Sequence, residues 1–197
     1  LARVEELFAR RPMAEQAEVA VLLLESRQLP DEAATAAIAA ACGVAPARLM
    51  VAVAPTASVV GAVQVAARSV EAVLHKMLLV EFPVDAVVAG CGVAPVAPVA
   101  ADDAQALGWV NDCLLYGATV WLTVDAPDDV VARVTPLLPA SASPHAGRPF
   151  AEMLRAAGEF YRIDPLAFGV AAVVLANRRS GRIHRAGAPN PTVLRTS

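Results

Sequence analysis

The sequence predicts an α/β fold of α+β character, a mixed sheet with flanking helices, and three observations carry that expectation. Apolar runs of strand length alternate with segments of helical pattern along most of the 197 residues. Proline and acidic residues stand repeatedly at the start of a helical segment, and glycine just past its end. Near the C-terminus, residues 171–177 and 182–185 flank a Ser180-Gly181 turn, the pattern of a β-hairpin, which makes the sheet mixed rather than purely parallel.

Taken in order, residues 18–25 form a continuous apolar run, as in a strand covered on both faces. Pro30, Asp31 and Glu32 then open a helix to Ala41, with Gly43 as its stop, and residues 48–53 form the next strand. The hydroxyls of Thr56 and Ser58 are placed to cap a helix over 59–80 that Pro83 ends. Residues 84–90 read as a strand, whereas Pro95 and Pro98 make 92–100 an extended loop. Asp102 and Asp103 open a helix through Leu115, acidic at the positive end of its dipole and closed by Gly117. Residues 118–125 have the clearest β-propensity, a short helix follows over 127–137, 141–147 is a loop, and 149–159 is helical. The break divides the expected organisation into a main α/β lobe, 1–140, and a C-terminal segment, 148–197, that packs on the first or contributes to a second lobe. The helical rhythm of 2–10 behind an initial Leu points to a chain that begins inside a longer protein or has been processed.

A composition of 57% hydrophobic and 18% charged residues excludes disorder, and a net charge of -3 offers no basic footprint for nucleic acid. Nineteen uncharged residues separate Arg48 from Arg68, the length of a membrane span, but Pro55, Thr56, Ser58, Gly61 and Gln64 interrupt them and favour a buried strand-turn-helix. The opening residues are neither a signal nor a transit peptide, so the cytoplasm is the default location. Cys42, Cys91 and Cys113 fit neither a disulfide framework nor a metal site and read as reduced core cysteines. His75, His145 and His184 are equally scattered, and no bound metal is expected.

Nucleotide, nucleophile-elbow and Cys-His motifs are absent. What remains is polar groups set into apolar segments: Thr56 and Ser58, Gln64, the Arg68 and Glu71 pair, Asp102 and Asp103, and Asn111-Asp112. On a helix Arg68 and Glu71 share a face, about 4.5 Å apart along the axis. Alone, such a pair is an ordinary surface bridge, and Asp102 and Asp103 are ordinary helix-start residues. Asn111 and Asp112 are less easily dismissed, because both compete with the backbone inside a helix.

Four blocks in order carry a resemblance: Val53-Ala54-Pro55-Thr56-Ala57-Ser58-Val59-Val60-Gly61 with Gln64 and Arg68-x-x-Glu71; Ala94-Pro95-Val96-Ala97-Pro98 with Asp102-Asp103; Asn111-Asp112-Cys113-x-Leu115-Tyr116-Gly117; and Phe160-Tyr161-Arg162-Ile163-Asp164-Pro165. Together they resemble the C-terminal part of the methenyltetrahydromethanopterin cyclohydrolases. The resemblance implies a cytoplasmic homotrimer of two α/β lobes with a pterin cleft between them. Its implied reaction is the reversible hydration of 5,10-methenyl-tetrahydromethanopterin to the 5-formyl form, without a metal or a prosthetic group. On the family's motif Glu71 becomes the general base and Arg68 the group that holds and tunes it, while Thr56, Ser58, Gln64, Asp102, Asp103, Asn111 and Asp112 go to the pterin pocket. Fifteen arginines against one lysine, with abundant alanine, point to a GC-rich genome and a bacterial formaldehyde-oxidation setting. Two alternatives stay open. One is a non-catalytic pterin-binding or oligomerisation module; the other is a scaffold whose polar clusters are all structural, favoured if Arg68 and Glu71 face open solvent.

Overall fold

A computed structural model describes residues 17–197, which form two compact units divided between Ala54 and Pro55. The opening helical segment of the sequence reading lies outside the described residues. The first unit is a β-α-β element. Strands β1 (Ala20–Glu25) and β2 (Leu49–Ala54) pair in parallel, from Ala20 opposite Leu49 to Glu25 opposite Ala54. Between them runs α1 (Glu32–Ala41), whose cap residue Asp31 accepts the Ala34 amide at 2.7 Å. Gly43 takes a φ of +69° just beyond it, a left-handed stop that a Cβ would strain.

The second unit starts with two helices where the sequence predicts one. Helix α2 (Val59–Ala67) and α3 (Ser69–Leu79) are separated at Arg68, whose φ of -85° and ψ of 10° leave the helical region. The Arg68 amide bonds the Val65 carbonyl three residues back, a tight turn that redirects the chain while Val65 and Ser69 both stay buried. Helix α3 ends where Glu81 adopts a φ of 59° ahead of Pro83.

Strand β3 (Val87–Val93) begins later and runs further than expected, because residues Val84–Ala86 form a 3-10 turn and Gly92 and Val93 stay in the ladder. Gly90 and Gly92 admit this packing: a Cβ on the first would meet Leu122, and on the second the Ser69 hydroxyl. Helix α4 (Asp103–Asp112) also stops short of Leu115 and passes into a π-helical turn, Cys113–Gly117. Strand β4 (Thr119–Val124), α5 (Asp128–Val134), α6 (Phe150–Ala157), β5 (Ala172–Asn177), β6 (Ile183–Gly187) and α7 (Pro191–Thr196) complete the unit.

The four strands of this unit lie in the order β3-β4-β5-β6, antiparallel, then parallel, then antiparallel. The hairpin therefore belongs to the same sheet as β4, across the loop at 141–147. Alternation along the strands sends Val120, Leu122, Val124, Val173 and Leu175 to one face, where Val73 and Met77 of α3 and Val131 and Val134 of α5 cover them. A second cluster gathers Leu115 and Tyr116 with Phe150, Met153, Ile163 and Val193. Cys113 is buried as expected, but Cys42 and Cys91 are exposed. Cys42 lies past the last turn of α1, and Cys91 sits opposite Trp121 on the uncovered sheet face.

Candidate active site

Arg68 stands at the N-cap of α3 and Glu71 in its first turn, where a carboxylate is favoured by the helix dipole. The pair is bidentate: Arg68 Nε donates to Glu71 Oε2 at 3.0 Å and Nη2 to Oε1 at 2.6 Å. Arg68 holds the Glu71 carboxyl below its usual range, first through these hydrogen bonds; partial burial opposes the shift, and the charges of Arg68 and His75 add to it. Both side chains are well exposed, 58% for Arg68 and 61% for Glu71, so the pair occupies an open helix face.

The remaining sequence candidates separate into two groups at opposite ends of α4. At its start, Asp102 caps the helix by accepting the Gln105 amide at 2.9 Å, as its position in the sequence suggests. Asp103 does more. Its Oδ1 accepts the Ala57 amide at 2.9 Å and so ties the first turn of α4 to the turn preceding α2. In that turn Thr56 is buried, and Ser58 caps α2 by accepting the Gly61 amide at 2.9 Å while donating to the Pro55 carbonyl at 2.7 Å. Gly61 is required here, since a Cβ would press on the carbonyl oxygens of Pro55 and Thr56. Gln64 is half-buried on α2.

At the far end of α4, roughly 13 Å along its axis, are Asn111 and Asp112. Asn111 Nδ2 donates to the Leu107 carbonyl at 2.8 Å within its own helix. Asp112 is 1% exposed, and its Oδ1 accepts the Phe150 amide at 2.8 Å, capping α6 from a distance. Among the described residues its Oδ2 has no hydrogen-bond partner. Burial pushes this carboxyl up to about 6, against the Phe150 amide and the nearby Ser197 side chain, with Glu152 adding to the rise. Neighbouring Tyr116 is pushed up to about 12 by burial and by Asp112, and its hydroxyl donates to the Arg148 carbonyl at 2.6 Å. Asp112 thus faces the interior between α4 and α6, rather than an open pocket.

Two polar centres escaped the sequence reading. Lys76, the only lysine, is 2% exposed and donates to the Leu166 carbonyl. Its place on the Ser69, Val73, Met77 stripe was the available signal. Asp128 reads in sequence as a helix-start acid, yet it accepts hydrogen bonds from Ser180 at 2.6 Å and Arg182 at 3.0 Å, and pairs with His184 at 3.0 Å. These contacts, led by the Ser180 hydroxyl, hold it well below the carboxylate range and fasten the β5–β6 hairpin to the start of α5. Among the described residues no group of three metal-ligating side chains is assembled, and no helix is long and apolar enough to cross a membrane.

The cyclohydrolase (MCH) family model matches residues 1–197. Relatives named methenyltetrahydromethanopterin cyclohydrolase include one from Rhodopirellula baltica, 43% identical over 100% of this chain and 60% of its own length. Another, from Methylosinus trichosporium, is 38% identical over 100% of this chain and 76% of its own. A third, from Methanocaldococcus jannaschii, is 39% identical over 93% of this chain and 58% of its own. The chain thus spans about 60% of the length of the first of these relatives. A family match along the whole chain and relatives of this name at 38–43% identity agree: the chain belongs to the cyclohydrolase (MCH) family.

Proposed function

We propose that the protein to which this chain belongs hydrates 5,10-methenyl-tetrahydromethanopterin to the 5-formyl form, with Glu71 as general base and Arg68 as its holder. The activity for which the relatives are named supports the reaction, and the bidentate Arg68–Glu71 pair is the observation that carries the assignment of roles. The methenyl carbon is part of a cationic amidinium. Water adds its oxygen there while one proton passes to Glu71; the bond from carbon to N10 then breaks, N10 receives a proton as the new hydroxyl loses its own, and one proton in all is released. An ionised carboxylate serves this step twice, by accepting the proton and by favouring the cation. Arg68 keeps Glu71 ionised, and its grip must loosen as the proton arrives, since a fully held carboxylate is a weak base.

In this reading Thr56, Ser58, Gln64, Asp102, Asp103, Asn111 and Asp112 serve the pterin pocket, either directly or, for Ser58, Asp102, Asp103 and Asp112, by holding the helices that frame it. The working enzyme is a cytoplasmic homotrimer of two-lobed subunits that takes its pterin as substrate and needs no prosthetic group. The exposure of both partners favours a second reading, in which the pair is a surface bridge and the polar clusters of the chain are structural. Glu71→Gln decides between them. General-base loss lowers kcat for methenyl-tetrahydromethanopterin hydration by about 100-fold or more, whereas equal rates would remove Glu71 from the mechanism.

A further inference from the structure

Helix α3 buries Ser69, Val73, Lys76 and Met77 along one stripe, so the sole lysine occupies a core position. A fully buried lysine is rare, because removing an ammonium from water costs several kcal/mol unless it is paired. Here the Nζ donates to the Leu166 carbonyl in the 3-10 turn Pro165–Ala167, and Asp164 at the cap of that turn supplies the opposing charge. Helix α2 and strands β3 and β4, which also pack on α3, carry no charged side chain; the 3-10 turn Val84–Ala86 against α3 carries Asp85, which is exposed, and on α3 itself Glu71 and His75 lie on the exposed side. An apolar residue would fill the stripe at lower desolvation cost, so packing alone does not account for the lysine.

The break at Arg68 supplies a reason for it. Because α3 does not continue α2, the hydrogen-bond ladder of α2 does not set its rotation. Contacts on its buried side do: Ser69 packs close against Gly92 at one end, Val73 and Met77 enter the core, and Lys76 donates to the Leu166 carbonyl further along. Glu71 stands between them, about 7.5 Å along the axis from Lys76.

We propose that Lys76 is a positioning residue for Glu71: bonded to the Leu166 carbonyl, its ammonium fixes the rotation and axial register of α3, and with them the direction of the Arg68–Glu71 pair. The inference rests on the proposed role of Glu71, but the tether itself can be tested without turnover. Burial lowers the Lys76 ammonium to about 8, with Asp164 opposing. Its folded value thus lies below its unfolded one, so stability rises with pH between about 8 and 10.5, while loss of the proton weakens the tether. Fold stability and tether strength move in opposite directions, which separates positioning from mere support.

The test compares Lys76→Met and Lys76→Arg with the unaltered protein. Lys76→Met is expected to keep or raise the melting temperature, yet to speed amide exchange in 69–79 and 164–167 about tenfold and lower kcat about tenfold with little change in KM. The unaltered enzyme loses kcat above about pH 8, whereas Lys76→Arg, which stays charged, recovers part of the rate and lacks that alkaline limb. Unchanged exchange in Lys76→Met, or an alkaline limb retained in Lys76→Arg, overturns the proposal. Absence of turnover in the unaltered protein overturns the proposed function instead, and the exchange result still decides the tether.

Discussion

The Asp103 carboxylate accepts the amide of Ala57, 46 residues earlier, at 2.9 Å, and joins the N-terminal turns of two helices in one contact. Around it lie Thr56 and Ser58, so three residues from two separate sequence blocks meet at one place. Asp103→Ala is expected to destabilise the protein by about 1.5–3 kcal/mol, the range for a hydrogen bond to a charged acceptor. Asp103→Asn keeps an oxygen in place and should retain most of that stability in urea denaturation.

Asp112 makes stability depend on pH in an unusual direction. Its folded value, about 6, lies above the 3.8 of an ordinary aspartate, so the folded state binds more protons between the two and stability falls as pH rises through that window. The shift corresponds to about 3 kcal/mol by pH 7. Denaturation midpoints taken from pH 4 to 7 should fall in the parent protein, and that fall should flatten in Asp112→Asn.

Glu71→Gln should affect rate and not stability. Because the pair is more than half exposed, solvent screening leaves it worth a few tenths of a kcal/mol, and the melting temperature should barely move. A lowered Glu71 value also places the acid limb of the pH-rate profile below the usual glutamate range, and Arg68→Ala should shift that limb upward.

Gly61→Ala is expected to cost about 1–3 kcal/mol, since the new methyl meets two backbone carbonyl oxygens that cannot move aside cheaply. Circular dichroism melts read the loss directly. Recovery of stability by any larger residue at this position would contradict the packing described.

Much of the fold is legible because its signals are local. Caps such as Asp31, Ser58 and Asp102 bond amides three residues on, so a short window of sequence contains both partners. Strands such as β4 and β5 reveal themselves by propensity and by the turn at Ser180-Gly181. The break at Arg68 is not legible, since apolar periodicity runs through it unbroken and only the folded chain, in the non-helical Arg68 backbone and the packing of Ser69 against Gly92, marks it. Nor is the burial of Asp112 under Phe150, since that partner comes from another helix 38 residues on.

The sequence by itself determined the family, through four blocks in order, and also the alternation of strands and helices and the adjacency of Arg68 and Glu71, because each block, element and pair is written in residues close together in the chain. The tertiary structure alone decided which polar groups are buried. Lys76 became a tether because the Leu166 carbonyl, 90 residues away, comes to meet it; Asp112 became a buried acid because α6 packs over it, whereas Glu71 was left on an open face. Burial and long-range partners set the energy of a charge, and neither can be read before the chain has folded.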